Sequence, residues 1–252
     1  MELYTIVFIA GLIFGSFLNV LIHRLPLSIS LFNPVSSFCP HCSYSIKWYE
    51  NIPIVSYLLL KGQCSSCSER ISVTYPIVEL LTAAVTLLIF QKQPSNYEFF
   101  LLLGIFYTLI VLSFIDFKYQ SVPSYLLIIV VIFTLLVGDT MATLMFMGGF
   151  VLLELVTTFY IQTIKARITD NPELENQRAL GEGDIPIAGV IGGLLGIQLG
   201  VTAIFVAAIL ALIPAIYNLF GKKEIQTPFI PFLSLGLLIV YISEFNLFGL
   251  FV

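Results

Sequence analysis

The sequence predicts an all-α polytopic membrane protein with about eight transmembrane helices and a small cytoplasmic zinc-binding loop domain, with four cysteine ligands, between helices 1 and 2. Of the 252 residues, 58% are apolar and 10% are charged, and the mean hydropathy is +1.01. A soluble domain carries about 25% charged residues, so this composition indicates a membrane protein. The net charge of -4 is too small to indicate a nucleic-acid partner.

The apolar runs define the helices, since a full span needs about 20 apolar residues. The first run is followed by a basic loop without a signal-peptide cleavage pattern, so we expect it to be retained as a helix. The sixth run is short and rich in glycine, and its ends between 185 and 200 are the hardest to place. The predicted helices are 3–22, 75–91, 98–115, 124–138, 141–164, 185–197, 200–220 and 229–251.

The connections between these helices predict how the chain is oriented across the membrane. An even number of spans puts the three longer connections, 23–74, 165–184 and 221–228, on one side of the membrane. Ten of the eleven Lys and Arg residues lie on that side, and Lys92 is the exception. The positive-inside rule makes that side cytoplasmic, with both termini outside.

All four cysteines lie in the first connection as two Cys-x-x-Cys pairs, "CPHC" (Cys39, Cys42) and "CSSC" (Cys64, Cys67). Two such pairs are typical of a tetrahedral thiolate zinc site. A disulfide framework is the alternative, and a reducing cytoplasmic location argues against it. Four thiolates leave no position for water, so we expect a structural metal.

Two carboxylates lie at the predicted cytoplasmic ends of their helices. Asp116 ends the third helix, and Asp184 in "GEGD" begins the sixth. A carboxylate near hydrocarbon usually marks function, and one helix packing can bring this pair together. Two carboxylates in one poorly solvated site do not both ionise easily, so one can activate water while the other donates a proton. Helix capping is the simpler interpretation of Asp184.

The two glycines of this motif suggest a backbone role. If Gly181 and Gly183 adopt positive φ, an extended substrate segment can come close to Asp184. We therefore interpret both glycines as supports of the catalytic loop. The charged stretch 165–180 is either a flap over this site or a solvated linker.

Several motifs in a fixed order resemble those of the bacterial type IV prepilin peptidases, also called prepilin leader peptidase/N-methyltransferases. These motifs span nearly the whole chain, and their ordered set is specific. They are "GSFLNVLIHRLP" (15–26), the two cysteine pairs, "YPIVELLTA" (75–83), Asp116 with Pro123 seven residues on, "GEGD", and "TPFIPFLSLG" (227–236).

The resemblance implies an aspartic endopeptidase that removes the basic leader of prepilins and pseudopilins at the cytoplasmic face of the bacterial inner membrane. It matches Asp116 and Asp184 to the family's catalytic pair. Members with the cysteine loop are usually bifunctional, and they methylate the new N-terminus with S-adenosylmethionine. The implied partners are prepilins and the lipid bilayer, and the implied cofactors are structural Zn2+ and S-adenosylmethionine. The residues in blocks associated with methylation are Gly15, Ser16, Asn19, Arg24 and Glu79.

Four single residues in or near these motifs have expected roles of their own. Glu79 could hold the cationic amine or sulfonium of the methylation reaction, and a buried hydrogen-bond partner is an equally good interpretation. Pro186 replaces a lysine found in many members, and it suits the first turn of a helix. Lys118 replaces a residue that is often acidic, and it places a cation within reach of the aspartates. Glu182 is the candidate acidic group for recognising a basic leader.

This interpretation divides the chain into a methyltransferase-associated part, residues 1–91, and an aspartic peptidase bundle, residues 98–252. Two alternatives remain. A peptidase of the wider GxGD group without methylation would not require the cysteine loop. A non-enzymatic scaffold or transporter would use the carboxylates as a proton relay and would show no proteolysis.

Overall fold

The computed structural model describes residues 1–31, 36–169, 180–220 and 228–250. Within these ranges the regular structure is helical, apart from two isolated β-bridges, which confirms the all-α prediction. The α-helices are α1 (Glu2–Arg24), α2 (Val55–Leu59), α3 (Thr74–Gln91), α4 (Asn96–Tyr119), α5 (Ser124–Val137), α6 (Thr140–Phe159), α7 (Ala166–Thr169), α8 (Asp184–Phe220) and α9 (Ile230–Ser243). Most of the predicted flap or linker, residues 170–179, lies outside the described residues.

Five helical stretches in the described ranges are long and apolar enough to cross a membrane, and α5 and α9 are shorter apolar helices. The longest, α8, has 37 residues, and its length of about 55 Å is almost twice the thickness of a bilayer's hydrocarbon core. It is kinked at Gly196, which has φ 70° and ψ -172°. Counting α8 as two halves gives eight apolar helical segments, in agreement with the predicted number. The chain is a multi-pass membrane protein.

The last predicted helix, 229–251, is too long. Helix α9 ends at Ser243, and Glu244 follows in the left-handed conformation with φ 53°. The Ser243 hydroxyl accepts a hydrogen bond from the Phe245 N–H group, and the Asn246 amide donates to the Gln198 side chain. A short 3-10 helix, Leu247–Leu250, then completes the described chain. Polar residues thus stop the helix although apolar residues continue beyond them.

The chain forms two compact units, Met1–Pro123 and Ser124–Val252. In the first unit, α1 packs closely on α3 through two glycines one helical turn apart. A Cβ atom on Gly11 would lie 2.6 Å from the Ala83 Cα atom, and one on Gly15 would lie 2.7 Å from the Glu79 Cα atom. This is the small-residue contact that lets membrane helices approach each other.

In the second unit, α8 packs on α5, α6 and α9. Its glycines accept the Phe146 ring of α6, since Cβ atoms on Gly192 and Gly200 would each lie 2.6 Å from that ring. The glycines of the sixth predicted helix and the first residue of the seventh therefore serve close packing. Asp139 caps α6 by accepting hydrogen bonds from the Met141 and Ala142 N–H groups.

Candidate active and metal sites

The four cysteines come together as a metal-binding cluster. Their sulfur atoms all lie within 4.8 Å of one another, and the Cys39–Cys67 and Cys42–Cys64 sulfur distances are both 4.0 Å. A tetrahedral zinc ion with Zn–S bonds of about 2.3 Å requires sulfur atoms about 3.8 Å apart. A disulfide would require about 2.05 Å, and all four thiols are free. The arrangement therefore fits four thiolates around one metal ion.

The backbone builds the first cysteine pair into a tight turn. The Cys39 N–H group donates to the Tyr44 carbonyl at 2.9 Å, and the Ser43 N–H group donates to the Cys39 carbonyl at 2.9 Å. Ser43 adopts a left-handed φ of 58°. A β-bridge between Phe38 and Ser45 closes the turn.

The second pair repeats this geometry at equivalent positions. The Cys64 N–H group donates to the Glu69 carbonyl at 2.8 Å, and the Ser68 N–H group donates to the Cys64 carbonyl at 3.0 Å. Ser68 has φ 57°, and Gln63 pairs with Arg70 in the closing β-bridge. The shared "Cys-x-x-Cys-Ser" sequence therefore specifies two matching turns, each directing two sulfurs at one point.

Neighbouring groups make the two thiols of the second pair unequal. Backbone N–H groups of Cys67 and Ser66 lower the pKa of the Cys64 thiol to about 7. At Cys67, a hydrogen bond from the Glu69 backbone favours the thiolate, but desolvation and the adjacent sulfurs outweigh it and raise the pKa to about 12. A metal ion would replace the protons on such thiols, so metal binding should release protons.

Asp184 begins α8 and is buried. Its Oδ2 atom accepts a hydrogen bond from the Gly181 N–H group at 3.1 Å, and its own N–H group donates to the Gly181 carbonyl at 3.1 Å. The carboxylate thus bonds back to Gly181, three residues before the helix, and the two hydrogen bonds between these residues close the turn that leads into α8. Pro186 lies in the first helical turn, where its missing N–H group costs little.

The structure corrects the expected conformation of the two motif glycines. Among the described residues, the glycines with positive φ are Gly62 and Gly196, so Gly181 and Gly183 do not use that region. The Gly183 carbonyl accepts a hydrogen bond from the Ile187 N–H group, the helical i to i+4 pattern at the start of α8. Gly181 instead gives space to the carboxylate, because a Cβ atom there would lie 3.3 Å from the Asp184 Oδ2 atom.

Asp116 lies in the last turn of α4 and is half-buried. Its carbonyl accepts a hydrogen bond from the N–H group of Gln120, the left-handed residue that ends the helix. The ammonium group of the exposed Lys118 lies 5.0 Å from the centre of the Tyr119 ring. Asp116 belongs to the first unit and Asp184 to the second, and their pairing stays a prediction.

Four residues of the predicted methylation group meet where α1 contacts α3. Gly15 packs against the Glu79 backbone, and the Ser16 hydroxyl hydrogen-bonds to the Glu79 carboxylate. The Asn19 amide donates to the Tyr75 carbonyl at 3.1 Å. Asn19 and Glu79 are both buried. The contacts of this cluster are between helices, and its role in methylation stays a prediction.

Arg24 fastens the start of the cysteine-bearing loop to the end of α1. The residue is only 3% exposed. Its guanidinium group donates to the carbonyls of Ser30, Leu31 and Ser36 at 3.0 to 3.2 Å. It also lies 5.8 Å from the centre of the Phe38 ring, next to the first ligand cysteine. Arg24 therefore fixes the backbone that leads from α1 to the metal cluster.

A strained turn at Ile54 holds the middle of the loop against α3. The amino-acid sequence gives no signal for this turn. Ile54 has φ 63° and ψ -48°, and the Val55 N–H group donates to the Pro53 carbonyl. This is the positive-φ γ-turn, which is rare and strained, especially for a β-branched residue. The Ile54 N–H group donates to the Glu79 Oε2 atom at 2.8 Å. Glu79 thus anchors the turn from 25 residues away, a distance at which local sequence rules cannot detect it.

Comparison with known proteins gives consistent matches along the chain. The family described as the bacterial peptidase A24 N-terminal domain matches residues 9–93, and the type IV leader peptidase family matches residues 102–216. The prepilin leader peptidase/N-methyltransferase of Vibrio cholerae is 35% identical over 224 residues, which cover 83% of this chain and 85% of the relative. The protein of the same name from Bacillus subtilis is 32% identical over 241 residues, covering 94% and 93%. Comparison with the solved structures finds no significant match.

Proposed function

Because this chain belongs to the type IV leader peptidase family, we propose that it cleaves the leader from type IV prepilins or pseudopilins and then methylates the new N-terminus. The observation that carries the proposal is the similarity to relatives named for both activities over more than 80% of each chain. The four-cysteine loop lies within the matched N-terminal domain, and Asp116 and Asp184 lie within the matched peptidase region.

For the peptidase reaction, we assign Asp116 and Asp184 as the catalytic pair. The ionised carboxylate takes a proton from water, and the water oxygen attacks the carbonyl carbon of the scissile peptide bond. The protonated partner donates to the carbonyl oxygen, and a proton passes to the leaving nitrogen as the C–N bond breaks. The hydrogen bond from the Gly181 N–H group supports this assignment because it orients one oxygen of Asp184.

For the loop, we propose a structural zinc ion bound by the four cysteines. The sulfur spacing fits tetrahedral coordination with no position left for water. Zinc would cross-link two cysteine pairs that are separated by 21 residues of sequence. The free energy of metal binding then contributes to the stability of the folded loop.

For methylation, we propose S-adenosylmethionine as the methyl donor, which supplies an electrophilic methyl group to the free amine. Gly15, Ser16, Asn19 and Arg24 support this activity by holding α1, α3 and the loop together, as their contacts indicate. The Glu79 carboxylate already accepts hydrogen bonds from Ile54 and Ser16. This use favours its interpretation as a buried hydrogen-bond partner over direct binding of a cation.

The distribution of basic residues supports a cytoplasmic location for the loop and both aspartates. Ten of the eleven Lys and Arg residues fall on the side of the predicted longer connections. A prepilin would present its basic leader at this face of the inner membrane. Glu182 is exposed beside Asp184, and we propose it as a contact for the leader's basic residues.

Mass spectrometry of a prepilin incubated with the purified protein and S-adenosylmethionine tests the proposal. We expect loss of the leader and gain of one methyl group on the new N-terminus. Asp116→Asn and Asp184→Asn should each abolish cleavage. Asp139→Asn is the matched control, because Asp139 is an exposed helix cap whose role asparagine can fill. This variant should cleave normally.

The same measurement separates the alternatives. Cleavage without the added methyl group would leave a GxGD peptidase without methylation. Intact substrate recovered from folded wild-type protein would favour the scaffold or transporter. Cleavage by either aspartate variant at the wild-type rate would refute the catalytic pair.

A further inference from the structure

Residues 48–59, here called the interfacial segment, expose a group of large apolar side chains. The exposed fractions are 82% for Trp48, 68% for Leu58 and 77% for Leu59, and Tyr49 and Val55 are about half exposed. Contiguous exposed apolar surface indicates an interaction site rather than a surface in contact with water. The segment lies between the two cysteine pairs and includes no metal ligand.

The polarity of this segment is inverted relative to a water-soluble surface. Val55, Leu58 and Leu59 lie on one face of α2, at positions i, i+3 and i+4. Ser56 is only 5% exposed. Its hydroxyl donates to the Tyr49 carbonyl at 2.8 Å and accepts from the Ile52 N–H group at 2.9 Å. The polar side chain is therefore buried inside the loop while the apolar side chains point outward.

The anchor to α3 sets the depth of the segment in the membrane. α3 has 18 residues, so its length of about 27 Å is slightly less than the hydrocarbon core of about 30 Å. Its first residue, Thr74, must then lie near the boundary between headgroups and hydrocarbon. Glu79 lies five residues further, about 8 Å along the axis, and it holds the Ile54 N–H group at 2.8 Å. The middle of the segment is thus held within about 8 Å of that boundary on its hydrocarbon side, a depth at which interfacial segments bury their apolar face.

We propose that the interfacial segment lies in the lipid interface and anchors the cysteine loop to the bilayer. Tryptophan and tyrosine favour this region, because their rings are apolar and their N–H and O–H groups reach water. Val55, Leu58 and Leu59 contact the acyl chains. Lys47 and Lys61 flank the segment and attract anionic headgroups.

The charges around the segment fit a lipid partner better than a basic peptide. Between residues 47 and 61 the acidic residue is Glu50, and its carboxylate accepts a hydrogen bond from the Lys47 N–H group at 3.0 Å. The ammonium group of Lys47 lies 5.7 Å from the centre of the Tyr49 ring. Two lysines against one acid give this stretch a net positive charge, which anionic lipid complements and a basic leader does not.

The sole tryptophan of the chain, Trp48, reports directly on this placement. The full-length protein is reconstituted into vesicles of phosphatidylcholine and phosphatidylglycerol, with bromine atoms at different depths on the acyl chains. We expect Trp48 fluorescence to be quenched most by bromine close to the headgroups and to be shielded from aqueous acrylamide. Quenching by acrylamide without quenching by any brominated lipid would overturn the proposal.

Variants separate lipid contact from contact with a protein partner. Leu58→Gln/Leu59→Gln should weaken quenching by brominated lipid at least twofold and increase quenching by acrylamide, while zinc content stays unchanged. Leu3→Gln is the matched control, because this exposed leucine lies at the opposite end of α1 from the loop. It should leave both signals unchanged. If Trp48 becomes shielded from acrylamide only after a prepilin is added, the segment binds substrate and the lipid assignment is wrong.

Discussion

Replacing Glu79 by glutamine separates two roles for this carboxylate. In the structure, its Oε2 atom accepts a hydrogen bond of 2.8 Å from the strained residue Ile54. The alternative role is to bind the cationic amine or sulfonium during methylation. Glutamine has the same reach and keeps a carbonyl oxygen, but it has no charge. The hydrogen bond should therefore survive this substitution, whereas attraction of a cation should not.

The loss of stability expected for each Glu79 variant depends on what happens to its hydrogen bond with Ile54. A hydrogen bond to a charged acceptor contributes about 1.5–3 kcal/mol and one to a neutral acceptor about 0.5–1.5 kcal/mol, so Glu79→Gln should cost about 1 kcal/mol. Glu79→Ala leaves the Ile54 N–H group without its acceptor, at a cost of about 1–3 kcal/mol. The strain of the γ-turn, about 1–3 kcal/mol, then also opposes the anchored conformation. We expect the loop to detach from α3 in the alanine variant.

Hydrogen–deuterium exchange of the peptide that contains Ile54 measures this attachment, with zinc content and methylation recorded on the same samples. Exchange should rise about fivefold in Glu79→Gln, as a loss of about 1 kcal/mol predicts, and much more in Glu79→Ala. Glu98→Gln is the matched control, because the exposed Glu98 carboxylate also accepts a backbone hydrogen bond, from Ser95. It should not change exchange at Ile54.

Two results would refute this reasoning. Unchanged exchange in Glu79→Ala would mean that the hydrogen bond does not hold the turn. Loss of methylation in Glu79→Gln, with normal exchange and normal zinc content, would mean that the negative charge of Glu79 acts on a cation directly.

Three further predictions concern the metal, the helix contact and the substrate. Cys64→Ser/Cys67→Ser should lose zinc and fold poorly, and metal analysis that finds full zinc retention would contradict the assigned ligands. Gly15→Ala should destabilise the protein by about 1–3 kcal/mol in thermal unfolding, because its Cβ atom would lie 2.7 Å from the α3 backbone. Gly148→Ala is the control, since its Cβ atom would meet nothing within 4 Å, and an equal loss in both variants would count against close packing. Glu182→Gln should slow cleavage of leaders with a basic residue beside the cleavage site more than cleavage of uncharged ones, and equal slowing in a kinetic assay would exclude Glu182 as the specific contact.

The helices and the cysteine site could be predicted because their signals are local. Apolar run length predicted α1 and α3 to within two residues at each end, since lipid solvation requires about 20 apolar residues in sequence. Each Cys-x-x-Cys pair carries its own turn, closed by backbone hydrogen bonds within the same few residues. Only the approach of one turn to the other depends on distant parts of the chain.

The features that could not be predicted depend on contacts between distant residues. Helix α9 ends at Ser243 although apolar residues continue, and Asn246 beyond it bonds to Gln198 of α8. Positive φ at Ile54 contradicts the local preference of a β-branched residue, and the contact that compensates for it comes from Glu79, 25 residues away. The "GEGD" glycines do not adopt positive φ, and Gly181 instead leaves space for the Asp184 carboxylate three residues away.

The residues matched to methylation share one structural property, which changes how their variants should be interpreted. Arg24 fixes the start of the loop, Glu79 fixes its middle through Ile54, and Gly15 and Asn19 hold α1 against α3. The cysteine cluster ties together the turns on either side of the interfacial segment. Removing any one of these contacts therefore loosens the same loop. A variant that loses methylation identifies a residue that contacts the methyl donor only if exchange at Ile54 and zinc content remain those of the wild type.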